Sequence, residues 1–279
     1  MVLQNASQTH DRLIADGYCL IERVLDDDML QCLRGVSERL VSSQGEATGA
    51  DRPSTGSMIS VQLDPLFAEL VSYPRTLQLL ATLGFPRPKY LSGYLISKPP
   101  QSPALFWHQD WWGWNDACSY TSVPQQLFLM YYLLDTTPDN GCLRVLPGSH
   151  HKRHPVHDAV PVAHADELRR VADPDHLAYQ SVPEQVEVPV RGGDLVIGDA
   201  RLLHSAHANK SDRWRSVITL WYAPCFDELP DKIRASIVSL TSKGHWSEEV
   251  WNKIAALAPV YNGPAEPIEL NRAPDKRLR

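Results

Sequence analysis

A succession of short strand-like runs between residues 86 and 222 constrains the fold more than any other feature of the sequence. The runs are Tyr90–Ser97, Ala104–Asp110, Gln126–Leu134, Cys142–Leu146, Val186–Val190, Asp194–Ile197 and Ser216–Tyr222. Turn signals separate them, namely Pro99-Pro100, Asp139-Asn140-Gly141, Pro147-Gly148 and Gly192-Gly193. Several short strands with turns at this spacing are typical of a β-sandwich or barrel.

Helical patterns flank the β region on both sides. The predicted helices are residues 8–17 (ending at Gly17), a helix with apolar residues spaced from Met29 to Val41, Pro65–Val71, Arg75–Leu83, Leu229–Leu240 and Ser247–Leu257. Tyr18–Arg23 reads as an additional strand. We expect one domain over 1–279, with a helical front at about 1–86, a β core at about 87–225 and a helical tail at about 226–279. The helices are expected to pack on one outer face of the β core.

Charge and apolar patterning exclude several classes of partner. The net charge is −6 and no run of five basic residues occurs, so we expect no nucleic-acid partner. The longest apolar run, from Leu127 to Leu134, is far shorter than the ~20 residues that span a bilayer, so we expect no membrane partner. The N-terminus lacks a basic-then-apolar signal pattern, and the C-terminus is not Ser-Lys-Leu. We therefore expect a cytoplasmic protein.

The cysteine pattern argues against two further kinds of stabilising site. The five cysteines are Cys19, Cys32, Cys118, Cys142 and Cys225. Their number is odd and no two are close in sequence, which disfavours a disulfide framework and a Cys-rich zinc site. Free thiols are expected.

The clearest chemical signal is His108-Gln109-Asp110. In a strand, residues i and i+2 point to the same face, so an imidazole and a carboxylate would converge. A third ligand must come from elsewhere, and His204 follows the strand-like Gly193-Asp-Leu-Val-Ile. Two histidines and one carboxylate form the facial triad of non-haem Fe(II) oxygenases, which leaves coordination positions open. By itself the His-x-Asp pair is equally typical of a surface pair or a buried hydrogen-bonded pair.

Arg215 lies eleven residues after His204 at the start of a strand-like run. A dicarboxylate that chelates iron at one end needs a cation at its other end. An arginine offers a two-pronged hydrogen-bonding group for such a carboxylate. The histidine and the arginine together therefore favour a site for both a metal and a dicarboxylate.

Four segments together resemble the phytanoyl-CoA dioxygenase family over roughly residues 10–225. They are His108-Gln-Asp110, Asn140-Gly-Cys-Leu-Arg-Val-Leu-Pro-Gly-Ser-His150, Gly193-Asp-Leu-Val-Ile and His204-Ser-Ala-His-Ala-Asn-Lys-Ser-Asp-Arg-Trp-Arg215. The opening Asp16-Gly-Tyr-Cys-Leu-Ile also fits the family. The resemblance implies a mainly β fold with flanking helices and a double-stranded β-helix (jelly-roll, cupin-like) core. It also implies Fe(II), 2-oxoglutarate and O₂.

The resemblance assigns roles to individual residues. It implies that His108, Asp110 and His204 bind iron, and that Arg215 binds the distal carboxylate of 2-oxoglutarate. Residues near Tyr94 and Met130 fall where the family often lines the cosubstrate pocket. All of these positions are expectations for the structure.

The acidic ligand bears on the reaction. Related halogenases carry Ala or Gly in place of the carboxylate, so Asp110 favours oxygenation. The implied activity is hydroxylation of an unactivated C–H bond in a small-molecule metabolite, with release of succinate and CO₂. Two alternatives stay open: a cupin-like metalloenzyme that does not use 2-oxoglutarate, and a non-catalytic ligand-binding member. The substrate, the exact oxidative outcome and the choice between monomer and homodimer are not readable from the sequence.

Candidate substrate contacts cluster around the triad. Four of the eight tryptophans, Trp107, Trp111, Trp112 and Trp114, lie within eight residues. Trp112 and Trp114 are candidates for an aromatic wall, with hydrophobic packing as the alternative, whereas packing is favoured for Trp107. Arg144 is a candidate for an anionic substrate group, with a structural ion pair as the alternative.

Further histidines compete for a role in metal binding. His207 is a rival third ligand, but the family pattern favours His204, and a local hydrogen bond is expected for His207. His150, His151, His154 and His157 could form a second metal site, or a solvated loop or short helix. The long connections at residues 44–57 and 151–183 are expected to set specificity.

Overall fold

The computed structural model describes residues 6–43, 53–160, 165–241 and 244–279. Within these residues the α-helices are α1 (Ala6–Asp16), α2 (Asp27–Ser43), α3 (Leu66–Val71), α4 (Pro74–Thr82), α5 (Pro155–Ala159), α6 (Asp166–Arg169), α7 (Asp231–Leu240) and α8 (Glu248–Lys253). The strands are β1 (Tyr18–Ile21), β2 (Ser57–Ser60), β3 (Lys89–Lys98), β4 (Leu127–Tyr132), β5 (Leu143–Val145), β6 (Val186–Val188), β7 (Leu195–Asp199), β8 (His204–Ala206) and β9 (Arg215–Ala223). No helix of the described residues is long and apolar enough to cross a membrane.

The strands form two antiparallel sheets. The larger sheet has the order β1-β7-β4-β9-β3-β2, and the smaller has the order β6-β5-β8. Apolar side chains from both sheets, such as Tyr132 and Val217 from the larger and Val145 from the smaller, pack together between them. This arrangement is the jelly-roll core that the sequence predicts.

Strand β4 shows why the sequence has its longest apolar run here. Successive strand residues point to opposite faces. Leu129 and Tyr131 join the cluster formed with the helices, whereas Phe128 and Tyr132 point between the two sheets. Because both faces of the strand are covered, every one of its residues is buried.

The front helices pack on the outer face of the larger sheet, as predicted. Leu13 of α1, Leu33 of α2 and Leu80 of α4 belong to the same buried cluster as Ile197 and Leu220 of the sheet. Full burial of such side chains contributes about 1.5–3 kcal/mol each. Helix α7 is different, because Ile233 and Ile237 pack with the tryptophans that follow the triad segment. The prediction of a single helical face therefore holds for the front helices and for α8, whose Val250 and Trp251 pack against the same cluster, but not for α7.

Helix α1 ends where Gly17 was predicted to end it. Gly17 has φ +84°, a left-handed backbone conformation that glycine adopts at little cost. Its N–H donates to the carbonyl of Leu13 at 3.1 Å, which closes the last turn.

Ala104–Asp110, predicted as a strand, forms no regular strand. The N–H groups of Leu105 and His108 donate to β8, but that of Trp107 donates to the carbonyl of Ala178 at 2.7 Å. The backbone hydrogen bonds of the segment are thus divided between β8 and Ala178, so it forms no continuous strand ladder with either.

Two strands were not predicted. Strand β2 begins at the last residue of the predicted 44–57 loop, whose residues 44–52 lie outside the described part of the chain. Strand β8 has only three residues, too few for a periodic signal. Because β1 and β2 join the larger sheet, that sheet begins well before residue 87.

A buried ion pair fixes the turn between β7 and β8. Arg201 donates to both carboxylate oxygens of Asp199, at 2.6 Å for the closest contact, and to the carbonyls of Ser119 and Thr121. Burial alone would raise the pKa of the Asp199 carboxyl, but the charge and hydrogen bonds of Arg201 hold that pKa below its ordinary value. The turn that leads into His204 therefore has a fixed shape.

Replacing Arg201 should strongly destabilise the protein. We expect Arg201→Ala to lower the free energy of unfolding by about 3–5 kcal/mol, because Asp199 would remain buried without its partner. Urea unfolding at pH 7 measures this change. Arg12→Ala is the matched control, since its pair with Asp16 is exposed and contributes no more than about 1 kcal/mol.

The pH dependence provides a second check of the same pair. A carboxyl with a lowered folded-state pKa contributes stability above about pH 4, and that contribution is lost as the pH falls through the folded pKa. The difference in free energy of unfolding between the wild type and Arg201→Ala should therefore become smaller as the pH falls below about 4. Equal stabilities at pH 7 would contradict this account.

Candidate metal centre

His108 and His204 are brought together by their own backbones. The N–H of each residue donates to the carbonyl of the other at 3.0 Å, in an isolated antiparallel bridge. The two imidazole rings consequently lie with their centroids 4.1 Å apart, and both are buried. The bridge thus joins residues that are distant in the sequence.

Asp110 completes a cluster of three potential metal ligands. His108 Nε2 lies 3.7 Å from Asp110 Oδ1, and His204 Nε2 lies 3.8 Å from Asp110 Oδ2. One ligand atom from each of the three residues lies within 4.8 Å of the others. Within the described ranges, this is the only such group of three histidine, cysteine or acidic side chains.

The hydrogen bonds of the two imidazoles make them suitable metal ligands. His108 Nδ1 lies 3.0 Å from the carbonyl oxygen of Phe106, and His204 Nδ1 lies 3.0 Å from that of Leu202. A carbonyl oxygen only accepts, so Nδ1 carries the hydrogen in each ring. Each Nε2 then presents its lone pair to the centre. The donor set of two neutral imidazoles and one carboxylate fits Fe(II).

Trp221 orients the carboxylate, and sequence reasoning did not identify it. Its indole Nε1–H donates to Asp110 Oδ2 at 2.8 Å. Trp221 lies on β9, where it pairs in register with Phe128 of β4. The contact therefore depends on a strand more than a hundred residues away from the aspartate, and no local motif signals it.

A small cavity of about 70 Å³ joins the triad to Arg215. Arg215 is buried, and its Nε has no hydrogen-bond partner among the described residues. The hydroxyl of Thr219, which lines the same cavity, is also buried without a partner. Burial lowers the pKa of the Arg215 guanidinium. A buried cation and a buried hydroxyl without partners fit an anionic ligand such as a carboxylate.

Lys98 is a second basic residue that lines this cavity, and no local pattern in the sequence signals it. The antiparallel register of β3 and β9 places Lys98 opposite Arg215. Its Nζ is buried and donates to the carbonyls of Ser54 and Pro103, at 2.9 and 2.6 Å. Burial, reinforced by the charge of Arg215, holds the pKa of Lys98 well below its ordinary value. Arg215 and Lys98 thus bring two basic side chains to the same cavity, and burial disfavours the charged form of the lysine.

A larger cavity of about 430 Å³ also borders the triad. His108, Asp110 and Trp221 line both cavities, so the candidate metal centre lies where the two compartments meet. Met130, predicted for the cosubstrate pocket, lines the small cavity. Tyr94, predicted for the same cosubstrate pocket, lines the large cavity instead.

The predicted substrate contacts separate into two groups. Trp112 lines the large cavity, and its contact with a substrate stays a prediction. Trp114 is fully buried in the cluster with α7 and lines neither cavity, so packing describes it correctly. Trp107, as favoured, packs in the core.

Arg144 lies outside both cavities. Its guanidinium donates to Ser205 Oγ at 2.7 Å and to the carbonyl of Tyr179, and it lies 4.9 Å above the Trp107 ring. All of these partners are neutral. The structure therefore supports neither the predicted substrate contact nor the alternative ion pair.

The other histidines do not join the centre. His207 Nε2 contacts Glu187 Oε1 at 3.0 Å, a hydrogen bond to a residue twenty positions away in the sequence. His154 and His157 cap helix α5, and His150 contacts the carbonyl of Ile14. This stretch thus includes a short helix, and the described residues show no second metal site there. Residues 161–164, within the predicted 151–183 connection, lie outside the described part of the chain.

Comparisons with known proteins agree with this geometry. A family model described as "Phytanoyl-CoA dioxygenase (PhyH)" matches residues 14–217. Phytanoyl-CoA dioxygenase 1 of Oryza sativa subsp. japonica is 28% identical over 203 residues, which cover 71% of this chain and 62% of that protein. The chain thus spans less than two thirds of the rice protein. An ectoine dioxygenase of Nocardia farcinica is 26% identical over 238 residues, covering 76% of this chain and 74% of that protein.

Solved structures show the same fold. HygX from Streptomyces hygroscopicus, with nickel and 2-oxoglutarate bound, aligns with a TM-score of 0.59 at 20% identity, covering 79% of this chain and 87% of that one. The epimerase SnoN from nogalamycin biosynthesis aligns with a TM-score of 0.56 at 23% identity, covering 78% of this chain and 82% of that one. At these identities the likeness establishes the fold alone.

Removing the indole donor should weaken metal binding. We expect Trp221→Phe to reduce Fe(II) affinity by about 10–100-fold, because the Asp110 carboxylate loses the hydrogen bond that orients it. Anaerobic Fe(II) titration of the apo protein measures the change. Trp214→Phe on the exposed surface is the matched control and should bind like wild type. Unchanged affinity in Trp221→Phe would contradict the orienting role.

Proposed function

The chain belongs to the phytanoyl-CoA dioxygenase family of Fe(II)- and 2-oxoglutarate-dependent dioxygenases, and we propose that it hydroxylates an unactivated C–H bond of a small-molecule metabolite. The reaction consumes 2-oxoglutarate and O₂ and releases succinate and CO₂. One observation carries the proposal: the three-residue cluster and Arg215, whose Nε has no hydrogen-bond partner among the described residues, line one small cavity.

The metal ligands are His108, Asp110 and His204. The imidazoles contribute their Nε2 lone pairs, because each Nδ1–H is already held by a backbone carbonyl. Trp221 holds one carboxylate oxygen of Asp110. When bound, iron with 2-oxoglutarate and O₂ supplies the oxidising power that breaks a substrate C–H bond.

The cosubstrate occupies the small cavity in this proposal. Arg215 binds its distal carboxylate with a two-pronged hydrogen bond, and the Thr219 hydroxyl donates a further one. Lys98 lines the same cavity, with its Nζ donating to the carbonyls of Ser54 and Pro103. Met130 and Val217 provide apolar walls that exclude water and so strengthen these electrostatic contacts.

The substrate then has the large cavity, which borders the same ligands. Its volume of about 430 Å³ suits a small molecule. Asp110 keeps a carboxylate in the position that halogenases leave vacant, which favours oxygenation over halogenation. The carbon that is hydroxylated is then the one that lies nearest to the triad.

Cosubstrate binding can be tested without a substrate. Anaerobic addition of Fe(II) and then 2-oxoglutarate to the apo protein should produce a weak visible charge-transfer band. In Arg215→Met the affinity for 2-oxoglutarate should fall by about 30-fold or more, because a buried charged hydrogen bond is lost. Arg213→Met, at an exposed neighbouring arginine, is the control and should behave like wild type.

Two other results of this titration would change the assignment. Bound iron without a band at any 2-oxoglutarate concentration would favour a cupin-like metalloenzyme that does not use this cosubstrate. Absence of iron binding in the wild-type protein would favour a non-catalytic ligand-binding protein.

Activity tests the ligands themselves. We expect His108→Ala and Asp110→Ala each to lower succinate formation from 2-oxoglutarate by more than the roughly 100-fold that loss of an outer hydrogen-bond partner costs. His207→Ala, which removes a histidine outside the cluster, should keep wild-type activity. Full activity in either ligand variant would refute the assignment.

A further inference from the structure

The large cavity carries two arginines whose role the proposed function does not explain. We propose that its substrate has an apolar body and an oxyanion, a carboxylate or phosphate group, and that Arg169 and Arg272 bind this oxyanion. The inference rests on the proposed function, because it assigns the small cavity to 2-oxoglutarate and leaves the large one to the substrate.

The walls of the large cavity are mostly apolar. Its apolar lining includes Leu91, Ile96, Phe106, Trp112, Trp221 and Ile237. His108 and Asp110 border the same space. A hydrocarbon or ring system in contact with these walls would thus lie against the candidate metal centre, where its C–H bonds can react.

The two guanidiniums are partly buried and lack carboxylate partners within the described ranges. Arg169, at the end of α6, has a buried Nε without a hydrogen-bond partner among the described residues. Arg272 donates to the backbone carbonyl of Asp110. In the part of the chain that the structure describes, neither arginine has a carboxylate side chain at ion-pair distance. Both therefore keep donor capacity for a ligand.

The charges that line the large cavity favour a negatively charged ligand. Both arginines line one cavity together with Asp110. The Asp110 carboxylate attracts Arg272, and the charge of Arg169 opposes that attraction. In the proposed function Asp110 binds the metal, so two guanidiniums beside apolar walls favour a further negative group in the cavity. A carboxylate or phosphate satisfies both guanidiniums at once, since each can donate in parallel to its oxygens.

Arg272 is held in place by the chain on which it lies. The N–H of the preceding Asn271 donates to the carbonyl of Trp112 at 2.7 Å, and the N–H of Trp114 donates back to the carbonyl of Asn271 at 3.2 Å. These two bonds attach the C-terminal segment directly beside the triad segment. The arginine is therefore part of a built wall.

The location of this segment in the sequence supports a role in specificity. Arg272 lies beyond residues 14–217, the part that matches the family. Ile237, Leu240 and Thr241 of the same cavity also lie beyond it. The small cavity, by contrast, is built almost entirely from residues within the match. Part of the large cavity's wall, including Arg272, thus lies outside the family match, whereas Arg169 lies within it.

Matched probes test the inference. Binding of 4-phenylbutyrate, 4-phenylbutyl phosphate and the neutral 4-phenylbutyramide would be measured by anaerobic calorimetry on the protein loaded with Fe(II) and 2-oxoglutarate. We expect at least one of the two anions to bind at least about tenfold more tightly than the amide. The tighter of the two anions identifies the oxyanion.

Three variants test whether the two arginines cause the preference for the anion over the amide. Arg169→Met and Arg272→Met should each remove most of the preference for the anion, and Arg272→Lys should restore part of it. Arg170→Met, the exposed neighbour on the same chain segment, should leave it unchanged. If Arg272→Met also weakens iron binding through the Asp110 backbone contact, Arg169→Met decides.

The charge-transfer band separates this inference from the proposed function. Absence of the band in the wild type would refute the proposed function and this inference together. A normal band, combined with equal affinities for anion and amide, no binding of either anion, or a preference that survives both methionine variants, would overturn only the role of the two arginines.

Discussion

The site depends on one pair of backbone hydrogen bonds, those that His108 and His204 exchange. They join an irregular segment to a three-residue strand and set both imidazoles side by side. The same local pattern then occurs twice, because each ring donates from Nδ1 to the carbonyl two residues earlier. Asp110 follows His108 by two residues and reaches both Nε2 atoms. Ring orientation and tautomer are therefore set by the folded backbone before any metal arrives.

The jelly-roll core supplies the rest of the site at a cost in stability. Arg215 and Lys98 lie opposite each other on neighbouring strands, inside a mainly apolar interior. A buried charge without a counter-ion destabilises a folded protein. The large apolar clusters on both faces of the larger sheet offset that cost. Asp199 and Arg201, by contrast, form a buried ion pair in which each charge neutralises the other.

The sequence predicts the residues that lie in local patterns and misses those that depend on distant strands. His108, Asp110, His204 and Arg215 belong to motifs with fixed spacing, and the structure brings them together around one cavity. Lys98 and Trp221 reach the site through strand register, which no local pattern reveals. The predicted helices and most of the predicted strands follow hydrophobic periodicity. The prediction of a strand at Ala104–Asp110 was wrong, because periodicity does not show that a segment divides its backbone hydrogen bonds between two neighbours.

Alternation along the chain also fails just after the triad. The N–H groups of Asp110 and Trp111 both donate to the carbonyl of Ala200, so the regular two-residue period is interrupted there. The two-residue period therefore no longer indicates which way the following side chains point, and Trp114 lies in a core cluster away from both cavities. Arg144 lines neither cavity, since its guanidinium bonds to Ser205 and Tyr179 and lies over the Trp107 ring.

Trp221 has a consequence for how the two compartments respond to each other. Its ring forms part of both walls, and its N–H holds the carboxylate between them. A molecule that shifts this ring on one side changes the space and the ligand geometry on the other. The free energy of such coupling is reciprocal, so any tightening of the cosubstrate by the substrate implies an equal tightening of the substrate by the cosubstrate. Through this one indole, a ligand in either cavity is expected to change the affinity of the other cavity for its own ligand.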